Sequence, residues 1–150
     1  FHASHGNLGS ASAINDAAMA AAFRAMREQK TVDGLDNLEL APRFLIVGPQ
    51  KENEARKFLS SILAAQTSNV NIYAGSLQLV VENRITGNQW FCAADPNVID
   101  TITLFGLAGQ QSPIIESRTR WEDSSMEFKV EHTATAAPMD FRGLYRNPGA

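Results

Sequence analysis

In the last third of the chain a charge falls on every second residue, and few folds can accommodate such a pattern. Odd positions carry Ile115, Ser117, Thr119 and Trp121, while even ones carry Glu116, Arg118, Arg120 and Glu122. A period of two places alternate side chains on opposite faces of a strand, whereas a helix would scatter these charges around its circumference. Asp123-Ser124-Ser125 supplies turn chemistry, and Met126, Phe128 and Val130 then alternate with Glu127, Lys129 and Glu131. The pattern predicts a long β-hairpin with one charged face. A two-stranded ribbon is marginally stable at best in water, so it is expected to pack on the rest of the chain or on another molecule.

Upstream the period changes. Residues 10–30 predict one helix, with Ser10 or Ser12 as its cap, Asp16 early and Arg24, Arg27 and Lys30 late, each sign suiting the helix dipole. Its faces are mostly alanine: Ile14, Ala18, Ala21 and Ala25 share a stripe flanked by Met19, Phe23 and Met26, which allows close packing. Residues 43–47 form a short apolar run fenced by Pro42 and by Gly48-Pro49, the pattern of a buried strand. A second helix is predicted from Pro49, with Ala55, Phe58, Leu59, Ile62 and Leu63 at helical spacing. Residues 66–71 read as a polar loop. Strands follow at 77–81, at 89–93 and, after the break at Asp95-Pro96-Asn97, at 101–107. The fold class expected is mixed α+β, a small sheet with helices packed against it.

The chain has 150 residues, 44% of them hydrophobic, which suits one domain or two small ones packed together. A chain this long buries about 70% of its unfolded surface and needs no disulfide or metal to fold. Cys92 is its one cysteine, so neither a disulfide framework nor a cysteine-rich zinc site is available, and a reducing compartment is expected. No apolar run approaches the ~18 residues of a membrane span. Thirteen Lys and Arg against sixteen Asp and Glu give a net charge of −3, which argues against tight sequence-independent DNA binding. The chain starts at Phe1, and residues 1–9 lack the basic start and apolar stretch of a signal peptide; it is expected to be part of something longer.

Candidate chemical sites are sparse. Cys92 with His132 as base is a formal nucleophile pair, but Trp90-Phe91-Cys92-Ala93-Ala94 reads as a strand with an inert buried thiol. His2 and His5 have helical ligand spacing without a nearby carboxylate to complete a metal site. Gly6-Asn7-Leu8-Gly9-Ser10 precedes the predicted helix and could hold an anion on backbone amides, although it lacks a P-loop lysine and follows no strand. Ser10 and Ser76 stand outside any Gly-x-Ser-x-Gly elbow. Asp95 and Asp100 read as turn and cap residues rather than a catalytic pair. Arg118 and Arg120 alternate with Glu116, Glu122, Glu127 and Glu131, a mixture better suited to protein contacts than to nucleic acid.

The ending Asp140-Phe141-Arg142-Gly143-Leu144-Tyr145-Arg146-Asn147-Pro148-Gly149 is dense and unusual. It resembles the C-terminal end of tailed-bacteriophage and prophage major capsid proteins of the major head subunit type, including forms fused to a ClpP-like prohead protease. His5-Gly6-Asn7-Leu8-Gly9-Ser10, Leu40-Ala41-Pro42-Arg43-Phe44-Leu45-Ile46-Val47, Trp90-Phe91 with Ala94-Asp95-Pro96, and Pro113-Ile114-Ile115-Glu116 agree with that family in order. Ser112 and Thr133-Ala134 depart from it, where a glycine and a Phe-Gly pair would be expected.

The resemblance implies a Hong Kong 97-type capsid fold, with residues 1–39 as peripheral loop and helix, 40–112 as an axial α/β domain, and 113–150 as a peripheral ribbon and C-terminal segment. An upstream arm, an extended loop and any fused protease would precede them. It also implies a virion structural protein, assembled in the bacterial cytoplasm, that contacts itself in pentameric and hexameric capsomers. Scaffold, prohead protease and portal are further possible partners, with packaged DNA touched only non-specifically; no enzyme activity, cofactor, metal or membrane is implied. The candidate subunit contacts are Glu116, Arg118, Arg120 and Trp121 on the ribbon, and Asp140, Arg142 and Tyr145 in the terminal segment. Arg142 could pair with Asp140 or with a neighbour's carboxylate, and Tyr145 and Trp121 could anchor an interface or pack internally. The competing reading is a small anion- or small-molecule-binding α/β domain, or an enzyme, built on residues 6–10.

Overall fold

The apolar run fenced by two prolines is the central strand of the main sheet. In the computed structural model, which describes residues 1–60 and 75–150, this strand is β1 (Pro42–Val47), with Leu45 and Val47 fully buried. β1 pairs in parallel with β2 (Gln78–Val81) and antiparallel with β3 (Trp90–Ala94). β3 in turn pairs antiparallel with β8 (Leu144–Asn147), giving the order β2-β1-β3-β8. Cross-strand register sets Leu45 beside Cys92 and Cys92 beside Tyr145, so these side chains share one face with Trp90. That face is the core.

Two helices complete the core: α1 (Asp16–Arg27) and α2 (Pro49–Ser60). α1 contributes Ala18, Met19, Ala22 and Met26, and α2 contributes Ala55, all buried with the sheet residues. The small side chains at 18, 22 and 55 let helix and sheet backbones approach, while the two methionines fill the irregular space that remains. The fold is mixed α+β, as expected.

α1 is shorter than its periodicity suggested, and neither Ser10 nor Ser12 caps it. Asn15 does so: its backbone is extended (φ −147°) and its Oδ1 accepts from Ala18 N at 2.8 Å. Ser12 is held instead by Asn147, whose Oδ1 accepts from Ser12 N at 3.1 Å and whose Nδ2 donates to Ser12 Oγ at 2.9 Å. α2 ends within the described residues at Ser60; the predicted continuation through Ile62 and Leu63 and the loop at 66–71 lie outside them.

A second compact unit spans Ile102–Met139, and the first comprises Phe1–Thr101 with Asp140–Ala150. In the second unit β4 (Ile102–Gly106) pairs antiparallel with β7 (Ala134–Pro138), and β5 (Ile114–Thr119) with β6 (Met126–Glu131). The predicted hairpin is therefore present. α1 packs with the sheet, and residues 140–150 return to it because β8 hydrogen-bonds to β3. Periodicity identifies a strand but not its partner, which here lies far away along the chain.

Asn147 is almost fully buried and also donates to Ser10 O at 2.8 Å and accepts from Gly149 N at 2.9 Å. Asn147→Ala would leave several buried groups without partners, with an expected cost of about 2–3 kcal/mol. Urea unfolding of the variant against the parent would measure it; an unchanged midpoint would show that water replaces the side chain.

Candidate subunit-contact surface

Residues directly opposite one another in an antiparallel pair point to the same face. Glu116 faces Lys129 and Arg118 faces Glu127, which collects the charges on one side of the β5–β6 ribbon. Ile115 faces Val130, Ser117 faces Phe128 and Thr119 faces Met126, which collects the apolar side chains on the other. The turn follows from Asp123, whose Oδ1 accepts from Ser125 N at 3.0 Å and Ser125 Oγ at 2.7 Å, and from Ser124 in the left-handed region at φ 56°. These hydrogen bonds, the Ser125 hydroxyl foremost, hold the Asp123 carboxyl below its ordinary range.

The charged face is internally paired. Arg118 Nε lies 2.7 Å from Glu127 Oε2, and Arg120 Nε lies 3.2 Å from Glu127 Oε1. Lys129 Nζ sits 2.6 Å from Glu131 Oε2 and 3.6 Å from Glu116 Oε2. Its hydrogen bond and charge attraction to Glu131 raise the Lys129 pKa and lower that of Glu131. All of these groups are in water, where ion pairs contribute little stability, so their main consequence is strand register. Trp121 stands beyond the last ladder pair and is 98% exposed.

The terminal candidates behave differently. Asp140 Oδ2 accepts from Arg142 Nη1 at 2.8 Å, and its Oδ1 accepts from Arg142 N at 2.8 Å. Of the two pairings considered for Arg142, the one within the chain is therefore formed. Phe141 stacks on His5 with ring centroids 4.1 Å apart, and the Arg142 guanidinium lies 5.2 Å from the Phe141 centroid. Of the two alternatives considered for Tyr145, internal packing is the one seen within the chain: it is 4% exposed and its ring lies 6.1 Å from Trp90. A tyrosine on a strand pairing with the central sheet has little surface left for a neighbour.

A family model described as phage capsid protein matches residues 2–147. The chain belongs to that phage capsid protein family. No curated protein sequence matches it. Membership assigns the chain a structural capsid role and a place in the virion capsid, and implies that copies of it associate with one another.

Against that role, the competing chemical sites lose their geometry. The Cys92 thiol is fully buried, its neighbour is the Met19 thioether at 3.9 Å, and burial pushes its pKa up to about 12. Such a thiol stays protonated at neutral pH. The loop at 6–10 does not open a helix, because α1 begins only at Asp16. Gly9 N donates to Arg146 O at 2.8 Å and Arg146 N donates to Asn7 O at 2.9 Å, so the loop is stitched to β8 rather than presented to an anion. Asn7 is buried, accepting from His2 N at 3.1 Å and donating to Phe141 O at 3.3 Å. A Cβ on Gly9 would collide with the Tyr145 hydroxyl, so Gly9→Ala tests packing and not ligand binding. His2 Nδ1 is hydrogen-bonded to Ser4 Oγ at 2.6 Å, and Asp95 Oδ1 accepts from Asn97 N at 2.9 Å, the turn role read for it.

Sequence reasoning weighed the charges on the ribbon together with Trp121 and passed over its apolar side chains, although the alternation that revealed the strands also separated Ile115, Phe128 and Val130 from the charges. It had no signal for Asn7 and Asn147, since buried asparagines look like loop residues until their partners are known.

The thiol shift has a measurable consequence. Unfolded Cys92 ionises near its ordinary value of 9.0 and folded Cys92 only near about 12. Above pH 9 the unfolded chain therefore releases a proton that the folded chain retains, and stability falls as pH rises through this window. Cys92→Ala should show a shallower decline in denaturation midpoint between pH 9 and 11 than the parent. A thiol reagent at pH 8 should label the parent only as fast as it unfolds; rapid labelling of folded protein would contradict this burial.

Proposed function

We propose that this chain is the major head subunit of a tailed phage or prophage, assembling through pentameric and hexameric capsomers into an icosahedral shell that encloses DNA. The family match across 2–147 carries the reading. The collinear motifs and the terminal Asp140–Gly149 stretch support it, as does a ribbon whose apolar side chains Ile115, Met126, Phe128 and Val130 are exposed. A shell subunit must present several distinct surfaces to its own copies, and mixed charge with exposed apolar patches serves that purpose without a catalytic cleft.

In this reading the fold is of the Hong Kong 97 type. The β2-β1-β3-β8 sheet belongs to the axial layer and takes with it α1 and residues 140–150, which pack on it, while the β5–β6 ribbon belongs to the peripheral layer. Assembly takes place in the host cytoplasm, and scaffold, prohead protease and portal are candidate partners. The net charge of −3 suits a shell that encloses DNA without gripping it.

Negative-stain electron microscopy of the protein expressed in its full natural reading frame, without added ligand, tests the proposal. Closed shells, rings or sheets of capsomers are the expected result. Uniform small particles that persist when a matching scaffold and protease are co-expressed would overturn it.

A further inference from the structure

We infer that the apolar face of the β5–β6 ribbon docks against a second copy of this chain, while its charged face remains in water. The inference rests on the capsid reading above and specifies which surface makes a contact. It reverses the emphasis that the sequence places on Glu116, Arg118 and Arg120.

The charged face has satisfied itself. Arg118 and Arg120 converge on Glu127, and Lys129 is shared between Glu131 and Glu116, so these charges are already neutralised by neighbours within the ribbon and exchanging them for a partner's gains little. On the apolar face Ile115, Phe128, Val130 and Met126 are each 62–69% exposed. Together they present on the order of 500 Å² of apolar surface, the size of the largest single patch on a typical monomer, which is often a contact site. A stable interface takes about 800 Å² from each partner, so this face supplies more than half of one.

Cover is also a structural need. A ribbon of two strands is marginally stable at best in water, and the side chains of this face are exposed among the described residues. In a protein whose family implies self-association, the apolar partner at hand is another copy. Such a contact gains its free energy from burying hydrocarbon and should weaken little as salt is raised.

Single-cysteine labelling tests the assignment, since the native Cys92 is buried and silent. Ser117→Cys places a thiol on the apolar face opposite Phe128, and Glu116→Cys places one on the charged face opposite Lys129. With a maleimide, both should react rapidly in unassembled protein. In assembled particles Ser117→Cys should slow by about tenfold or more, as expected for a packed interface core, while Glu116→Cys keeps its rate. Equal rates at the two positions in assembled particles would overturn the inference and leave the capsid reading standing. Protection of Ser117→Cys already in the unassembled protein would also overturn it, showing that the protein's own chain covers the face. Absence of any assembled species would overturn the capsid reading and this inference with it. Phe128→Asp, at a position exposed enough to leave the melting temperature unchanged, should block assembly; normal particles from it would count against the inference.

Discussion

Everything in the first compact unit depends on the pairing of β3 with β8. This pairing sets Cys92 against Tyr145 and Trp90 against Asn147, and so brings the end of the chain into the core assembled by β1 and α1. Asn147 then fastens Ser10, Ser12 and Gly149, while Arg146 exchanges backbone hydrogen bonds with Asn7 and Gly9. One short strand thereby ties both termini to the sheet. Within the excursion between β3 and β8, Ile102–Met139 form the second compact unit.

That excursion is the part with the least cover and the most surface to offer. Its ion-pair ladder is well formed but lies in water, where Coulomb attraction is weak and hydration competes with each contact. Its apolar side chains gain far more by leaving water than its charges gain by finding new partners. The physical division within the ribbon is thus between a charged face that keeps strand register and an exposed apolar face.

The groups that first suggested chemistry have structural partners instead. The one thiol is held protonated by burial, and the glycine loop spends its amides on β8. The two N-terminal histidines are engaged in a capping hydrogen bond and in a ring stack on Phe141. These groups are occupied in holding the fold together.

The identity and approximate place of β1, α2, β3, the hairpin turn and the two-faced ribbon could be read directly, because each arises from local periodicity or turn chemistry that a short stretch encodes. The collinear motifs and the terminal stretch likewise led to the family. Tertiary structure alone decided that α1 starts at Asp16 and not at Ser10, since Asn147, far along the chain, holds Ser12 outside the helix. It also decided that Tyr145 is core, that Gly9 is a packing position, and that residues 140–150 rejoin the sheet. These outcomes depend on which distant strand becomes a neighbour, and local patterns of hydrophobicity and charge carry no record of that choice.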